Sequence, residues 1–143
     1  MAITVVEVIA QELDRCRARI RYRDNELVAF VRGSLDEVRS MVGKRCVVEL
    51  DFARVTQWEL IPGFRDDESE IVGIDAGSSS VRIRGRACGK IDVGDGTQLV
   101  DIYVQAGPDF VTVDRSQVDT ARVSVGDGLE VQVEGLCFYP TGT

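Results

Sequence analysis

Apolar and polar residues alternate with a period of two over residues 15–23, RCRARIRYR. Successive side chains of a β-strand point to opposite faces, so an extended segment would place every arginine on one face. Those arginines are Arg15, Arg17, Arg19, Arg21 and Arg23. The alternate positions carry the core-like residues Cys16, Ala18, Ile20 and Tyr22. The same alternation returns in a shorter form at Arg82, Arg84 and Arg86. Both segments are therefore predicted to be strands with one cationic face.

Residues 4–23 admit two interpretations. Thr4 and Glu7 match a helix capping box, and the apolar residues that follow also fit helical spacing. One helix would scatter the arginines around its surface, whereas two strands joined at Asp14 would keep them together. The strict alternation and the β-rich sequence downstream favour the two strands.

The next segments alternate between strand and helix signals. A short apolar strand is predicted over 26–32, after a turn at Asp24 and Asn25. Ser34 and Glu37 form a second capping box before a short helix near 35–42, which Gly43 is suited to end. A long strand is predicted over 45–58.

The second half of the chain contains short apolar runs between glycine-rich turns. They predict strands over 70–75, 80–90, 99–105, 110–113 and 129–139, with a hairpin tip at 93–96 and no assignment for 115–125. Many short strands and one short helix indicate a mainly β fold, with one or two antiparallel barrels of OB-like or related type. This resemblance is a pattern of elements, without a diagnostic sequence motif.

The acidic loop 62–70 is the best internal boundary, because proline, glycine and carboxylates interrupt the apolar pattern there. It divides the chain into a first β unit, 1–61, and a second, 71–143, although one compact domain is also consistent with the length. A Val-Gly pair precedes a long strand in both units, at 42–43 and at 125–126. The two units are therefore candidates for an internal duplication.

The amino-acid composition excludes several kinds of catalytic and metal-binding site. The chain has no histidine, which excludes Ser-His-Asp and Cys-His catalysis and histidine metal sites. We predict no catalytic residue, no metal site and no cofactor, and an enzyme based on carboxylates remains a third hypothesis. The four cysteines are too far apart in sequence to match a metal-binding or redox motif. Cys88 is predicted to lie on the same strand face as Arg82, Arg84 and Arg86, where it is either an activated or an inert thiol.

Charge is divided unevenly along the chain. The net charge is −7, and all of it arises from residues 65–143, which carry seven basic and 14 acidic side chains. This excess repels nucleic acid and anionic membranes at long range. With no signal peptide or spanning segment in the sequence, a cytoplasmic location is expected.

Both arginine runs are candidate anion-binding residues, and a solvated sheet face is the alternative. In that alternative the arginines pair across strands with neighbouring carboxylates. Guanidinium groups bind phosphates well, but Tyr22 lies in the inward phase and Phe30 is interpreted as core. Few aromatic side chains are then left to stack on bases, which weakens the nucleic-acid hypothesis.

The segment after the long strand is the candidate for an apolar contact patch. Its residues are Trp58, Leu60, Ile61 and Phe64, and a core position for the tryptophan is the alternative. The leading hypothesis from the sequence is a non-enzymatic module that binds a protein partner, either a basic one through the acidic half or a second copy through this patch. The alternative is an OB-like protein that binds single-stranded nucleic acid or another anion through Arg15–Arg23.

Overall fold

The computed structural model describes residues 1–74, 79–93, 99–107 and 109–141. Residues 94–96 of the predicted hairpin tip lie outside these ranges. Within them the chain is mostly β-strand with one short α-helix, which confirms the predicted fold class. The strands are β1 (Ala2–Glu12), β2 (Arg15–Tyr22), β3 (Asn25–Arg32), β4 (Arg45–Asp51), β5 (Arg54–Ile61), β6 (Glu70–Gly73), β7 (Val81–Val93), β8 (Leu99–Ala106), β9 (Asp109–Asp114), β10 (Gly128–Glu134) and β11 (Cys137–Pro140), and the helix is α1 (Leu35–Met41).

Two compact units form, and each is assembled from separate parts of the chain. Unit 1 contains residues 1–53, 71–81 and 133–143, and unit 2 contains residues 54–70 and 82–132. The ranges predicted from the sequence, 1–61 and 71–143, follow the chain in order, whereas these units interleave it. The internal duplication remains a prediction.

Unit 1 is built on a closed barrel with the strand order β1-β2-β3-β11-β4. The helix α1 lies between β3 and β4 in sequence, and β11 runs parallel to β3 while pairing with β4 in the antiparallel sense. Five strands in this order, with a helix before the fourth, are consistent with an OB-like barrel. The strand that closes the barrel therefore comes from the end of the chain.

The two-strand interpretation of residues 4–23 is correct. β2 places Cys16, Ala18 and Ile20 in the core with no exposure, and the arginines occupy the other face. Two irregularities in the β1–β2 register, next to Val6 and Ile9, bend β1. The bend lets the start of β1 pair with β4 while the rest pairs with β2.

The helix was also predicted correctly. Ser34 Oγ accepts from the Glu37 amide at 3.2 Å, and Glu37 Oε1 accepts from the Ser34 amide at 3.3 Å. Gly43 follows the helix at φ +79°, a conformation that glycine adopts without a steric penalty. The predicted capping box and glycine stop therefore both operate.

Two long strands predicted from the sequence are wrong, because each is two strands. The run 45–58 breaks at Phe52 and Ala53, where the chain leaves the barrel and the Ala53 amide donates to the Glu134 carbonyl at 2.9 Å. The run 129–139 breaks at Gly135, which has φ +71°. A Cβ at Gly135 would lie only 2.7 Å from the Ala53 Cβ, so these two breaks pack against each other.

The second sheet has the strand order β5-β10-β7-β8-β9, and β6 pairs with β7 outside this path. Its apolar phase is buried at Ile83, Val104, Val111 and Val131. One 3₁₀ turn, Asp66–Glu68, lies in the acidic loop, and a second, Thr120–Arg122, lies in the segment left unassigned from the sequence. Across the ranges given above, no helix has the length and apolar character needed to cross a membrane.

The cysteines differ in exposure, and this predicts their order of alkylation. All four are free thiols, with Cys16 and Cys137 buried, Cys46 half-buried and Cys88 exposed. Burial is the main cause that raises the pKa of the Cys16 and Cys137 thiols. We expect iodoacetamide to label Cys88 first and to leave Cys16 and Cys137 unlabelled until the chain unfolds. Peptide mass spectrometry along a labelling time course checks this order, and early labelling of Cys16 would contradict the barrel core.

Candidate anion-binding face of the barrel

β2 presents its arginines on the outer face of the unit 1 barrel. Arg15 and Arg17 are half-buried, whereas Arg19 and Arg21 are exposed. Arg23 follows the end of β2 and adopts φ +54° in the turn to β3, so it does not continue the strand pattern. Four of the five arginines thus share one strand face.

Carboxylates pair with the arginines near the β2–β3 turn. Arg19 lies 3.1 Å from Glu7 of β1, and Arg21 lies 3.9 Å from Glu26 of β3. All four side chains are about half exposed. Exposed ion pairs of this kind stabilise a fold by about 0–1 kcal/mol, so a competing phosphate can replace them. This part of the face matches the cross-strand pairing considered from the sequence.

The charge is more concentrated at the opposite end of β2. The two-residue turn between β2 and β3 sets a register in which Arg15 stands directly across from Arg32. Like charges in opposite positions destabilise a sheet. Asp14 is 3.4 Å from Arg32, and Glu12 is the register partner of Arg15 on β1. The register therefore places two arginines in opposite positions at this end of the hairpin.

Aromatic side chains lie beneath these two arginines. Phe30 is buried, which agrees with its interpretation as core, although its register partner is Arg17 on the arginine-bearing face of β2. It is only 8 % exposed, because the Arg15 guanidinium covers it at 3.7 Å from the ring centre. Arg32 lies 5.6 Å from the ring centre of Tyr139 on β11. We call Arg15, Arg17, Phe30, Arg32 and Tyr139 the arginine–aromatic cluster.

An open cleft of about 520 Å³ adjoins the cluster. Leu13, Asp14, Arg32 and Tyr139 contribute to its walls. Leu13 is 91 % exposed and adopts φ +58° in the β1–β2 turn, an uncommon conformation for a branched apolar residue. Residues held in such uncommon backbone conformations are found preferentially at functional sites.

The Cys137 thiol beside the cluster and the Tyr139 hydroxyl within it are uncharged at neutral pH. Burial raises the pKa of the Cys137 thiol, and nearby Arg15 and Arg32 oppose this effect. The neighbouring Cys137 group, and then burial, raise the pKa of the Tyr139 hydroxyl. The tyrosine therefore keeps its proton at neutral pH, and the arginines supply the positive charge of the cluster.

The second arginine run is bound to groups of its own unit. Arg84 Nε donates to Glu130 Oε1 at 2.7 Å, and Arg82 donates to Glu70 Oε1 at 2.8 Å. Glu130 is 5 % exposed, and its hydrogen bond is the main cause that raises the pKa of Arg84. These contacts give both arginines a structural role.

Hydrogen bonds within unit 2 also hold the Arg86 side chain. Its guanidinium donates to Asp66 Oδ1 at 2.7 Å, to the Gly126 carbonyl at 2.7 Å and to the Phe64 carbonyl at 2.9 Å. Three donors are thus used within unit 2. These contacts give Arg86 a structural role within unit 2.

The four residues predicted as an apolar contact patch all belong to unit 2, and the contact patch stays a prediction. Trp58, Leu60 and Ile61 are half-buried, and Phe64 is 7 % exposed. Trp58 lies 5.4 Å below the Arg122 guanidinium and lines a cleft of about 630 Å³ in unit 2.

Charged groups in the two clefts already have partners. In the unit 1 cleft Glu37 caps α1 and Asp14 pairs with Arg32. In the unit 2 cleft the Asp119 side chain accepts from the Ala121 amide at 3.3 Å. Lys90 of the same cleft donates to the carbonyls of Thr120 and Val123 at 2.8 and 2.9 Å. These contacts do not support the hypothesis of an enzyme based on carboxylates.

Sequence reasoning missed Arg32 and Tyr139. Arg32 could have been found, because a two-residue turn at residues 23–24 fixes the register that places it opposite Arg15. Tyr139 gave no signal, since its position depends on a parallel strand contributed by the end of the chain.

Among the described side chains, no group of three or more cysteines and carboxylates is arranged to hold a metal ion. Comparisons of the chain with protein-family models, with curated proteins and with solved structures found no significant match.

Proposed function

We propose that the barrel of unit 1 binds single-stranded nucleic acid through the arginine–aromatic cluster. One observation carries this proposal: Arg15 and Arg32 stand opposite each other on the outer β2–β3 face, each over an aromatic ring. In OB-type barrels this face and the β1–β2 loop are the usual surface for oligonucleotides.

The chemistry of the cluster suits an unpaired strand. Guanidinium groups hydrogen-bond phosphates through a planar fork, and their flat faces also stack on bases. Aromatic rings such as that of Tyr139 stack on bases of any identity, so we propose binding without strong sequence preference. The exposed Leu13 adds an apolar contact at the edge of the cleft.

The net charge of −7 opposes this binding only at long range. Screening by salt limits that repulsion to about 10 Å at about 0.1 M ionic strength, so a local cationic face can still bind phosphate. We propose a cytoplasmic location, where nucleic acid is present and the four free thiols stay reduced.

A titration with a labelled single strand tests the proposal. Fluorescence anisotropy with an oligonucleotide of about 12 nucleotides, at about 50 mM salt, should show saturable binding. A duplex of the same sequence should bind more weakly, because its bases are not free to stack. Tyr139→Phe keeps the ring and should bind like the original chain, whereas Tyr139→Leu should lose about tenfold in affinity. Equal affinities of Tyr139→Phe and Tyr139→Leu, or no binding of the original chain at low salt, would contradict the proposal.

Removing the competing carboxylates should strengthen binding. In Glu7→Gln/Glu26→Gln the guanidinium groups of Arg19 and Arg21 lose their ion-pair partners and become available to phosphates. We expect affinity to rise by roughly fivefold to tenfold in the same titration, since each released pair is worth up to about 1 kcal/mol. The matched control is Glu49→Gln/Glu59→Gln, which removes two exposed carboxylates outside these pairs. An equal gain in the control would attribute the effect to net charge alone.

A further inference from the structure

We infer that β9, at the edge of the unit 2 sheet, accepts an extended basic segment of a partner protein as an added β-strand. β9 (Asp109–Asp114) is the last strand of the sheet path, and β8 is its neighbour. Within the residues that the structure describes, no second strand pairs with it. The inference does not depend on nucleic-acid binding, which involves unit 1.

Hydrogen bonds at the end of β9 show which backbone groups face the open edge. The Asp114 amide donates to Gln117 Oε1 at 3.0 Å, so it points away from β8. Backbone groups of alternate residues in an antiparallel strand point to the same side. The N–H and C=O groups of Phe110 and Thr112 therefore face the open edge, where an added strand would bind them.

The side chains of β9 suit strand addition. Val111 and Val113 are 2 % and 1 % exposed and fix the strand to the core. Phe110 is 58 % exposed, and Thr112 is also exposed, so both can contact side chains of an incoming strand. Proline and lysine, which often protect sheet edges, are absent from Asp109–Asp114.

Charge identifies the kind of occupant. A carboxylate stands at each end of the strand, Asp109 and Asp114, and unit 2 carries eight basic and 13 acidic side chains, a net charge of −5. A segment with lysine or arginine on both sides of a β-branched run complements these two carboxylates and the negative net charge of the unit.

A synthetic peptide tests the inference. The probe alternates valine and threonine and has two lysines at each end, and its control carries glutamates in place of the lysines. We expect calorimetry to detect binding of the lysine peptide and at least about tenfold weaker binding of the glutamate peptide. Equal binding of both peptides, no binding of either, or self-association of the chain in sedimentation would overturn the inference.

Two variants locate the site. Thr112→Pro removes an N–H group from the open edge without removing a hydrogen bond to β8, whereas Thr112→Ala keeps that N–H. The proline variant should lose about fivefold to tenfold in peptide affinity, and the alanine variant should keep it. Should the proline variant not fold, hydrogen exchange on the original chain decides: the peptide should protect the Phe110 and Thr112 amides. Unchanged exchange at both amides would contradict the inference.

Discussion

Replacing Arg15, Arg17 and Arg32 together by serine should lower the affinity for single-stranded DNA by about 100-fold, since each charge-assisted hydrogen bond to phosphate contributes at least about 1 kcal/mol. These three arginines occupy adjacent register positions on β2 and β3. The change removes the cations from the cluster and leaves the buried phase of both strands intact. Anisotropy titration against the original chain measures the loss.

The matched control removes three exposed arginines elsewhere. Arg39→Ser/Arg45→Ser/Arg65→Ser changes the net charge by the same amount without touching the cluster. We expect the affinity of this control for single-stranded DNA to fall by at most about threefold, because only the long-range electrostatic attraction is weakened. If the control bound single-stranded DNA as weakly as the cluster variant, total charge and not the cluster would determine binding.

Phe138→Ala should destabilise the barrel of unit 1 by about 3–5 kcal/mol, the range for truncating a buried phenylalanine. Phe138 has no exposed surface and is among the largest fully buried side chains described. Its strand lies between β3 and β4, so the cavity would open where the last strand closes the barrel.

Thiol labelling measures this effect in unit 1 directly, whereas the fluorescence of Trp58 reports on unit 2. Cys16 and Cys137 belong to unit 1 and are buried. In Phe138→Ala their labelling rate should rise by about 10³-fold when opening limits the reaction. Val47→Ala, at a position 55 % exposed, should change the rate by less than about threefold. Equal rates in the two variants would mean that β11 does not close the barrel.

Local patterns predicted the parts of this fold that depend on neighbours in sequence. Strict alternation identified β2, and the Ser34–Glu37 capping box with Gly43 placed α1. These signals succeed because side-chain phase and capping hydrogen bonds are decided within a few residues.

The strand breaks and the strand pairing could not be predicted in this way. The break at Gly135 depends on its contact with Ala53, and β11 reaches β3 from the far end of the chain. An apolar run shows no interruption where a strand changes partners, so 45–58 and 129–139 were each interpreted as one strand. Part of the candidate site was unpredictable for the same reason, since Tyr139 contacts Arg32 only because β11 pairs with β3.

Amide chemical-shift perturbation by NMR tests the central claim most directly, because it reports where a single strand binds. On titration of the ¹⁵N-labelled chain with the oligonucleotide, we expect the largest shifts at Arg15, Arg17, Phe30, Arg32 and Tyr139, with smaller shifts at Leu13 and Asp14. These shifts should diminish as salt rises from about 50 to about 200 mM, where three phosphate contacts lose roughly 20-fold in affinity. Shifts confined to unit 2, or none at saturating oligonucleotide and low salt, would contradict the account.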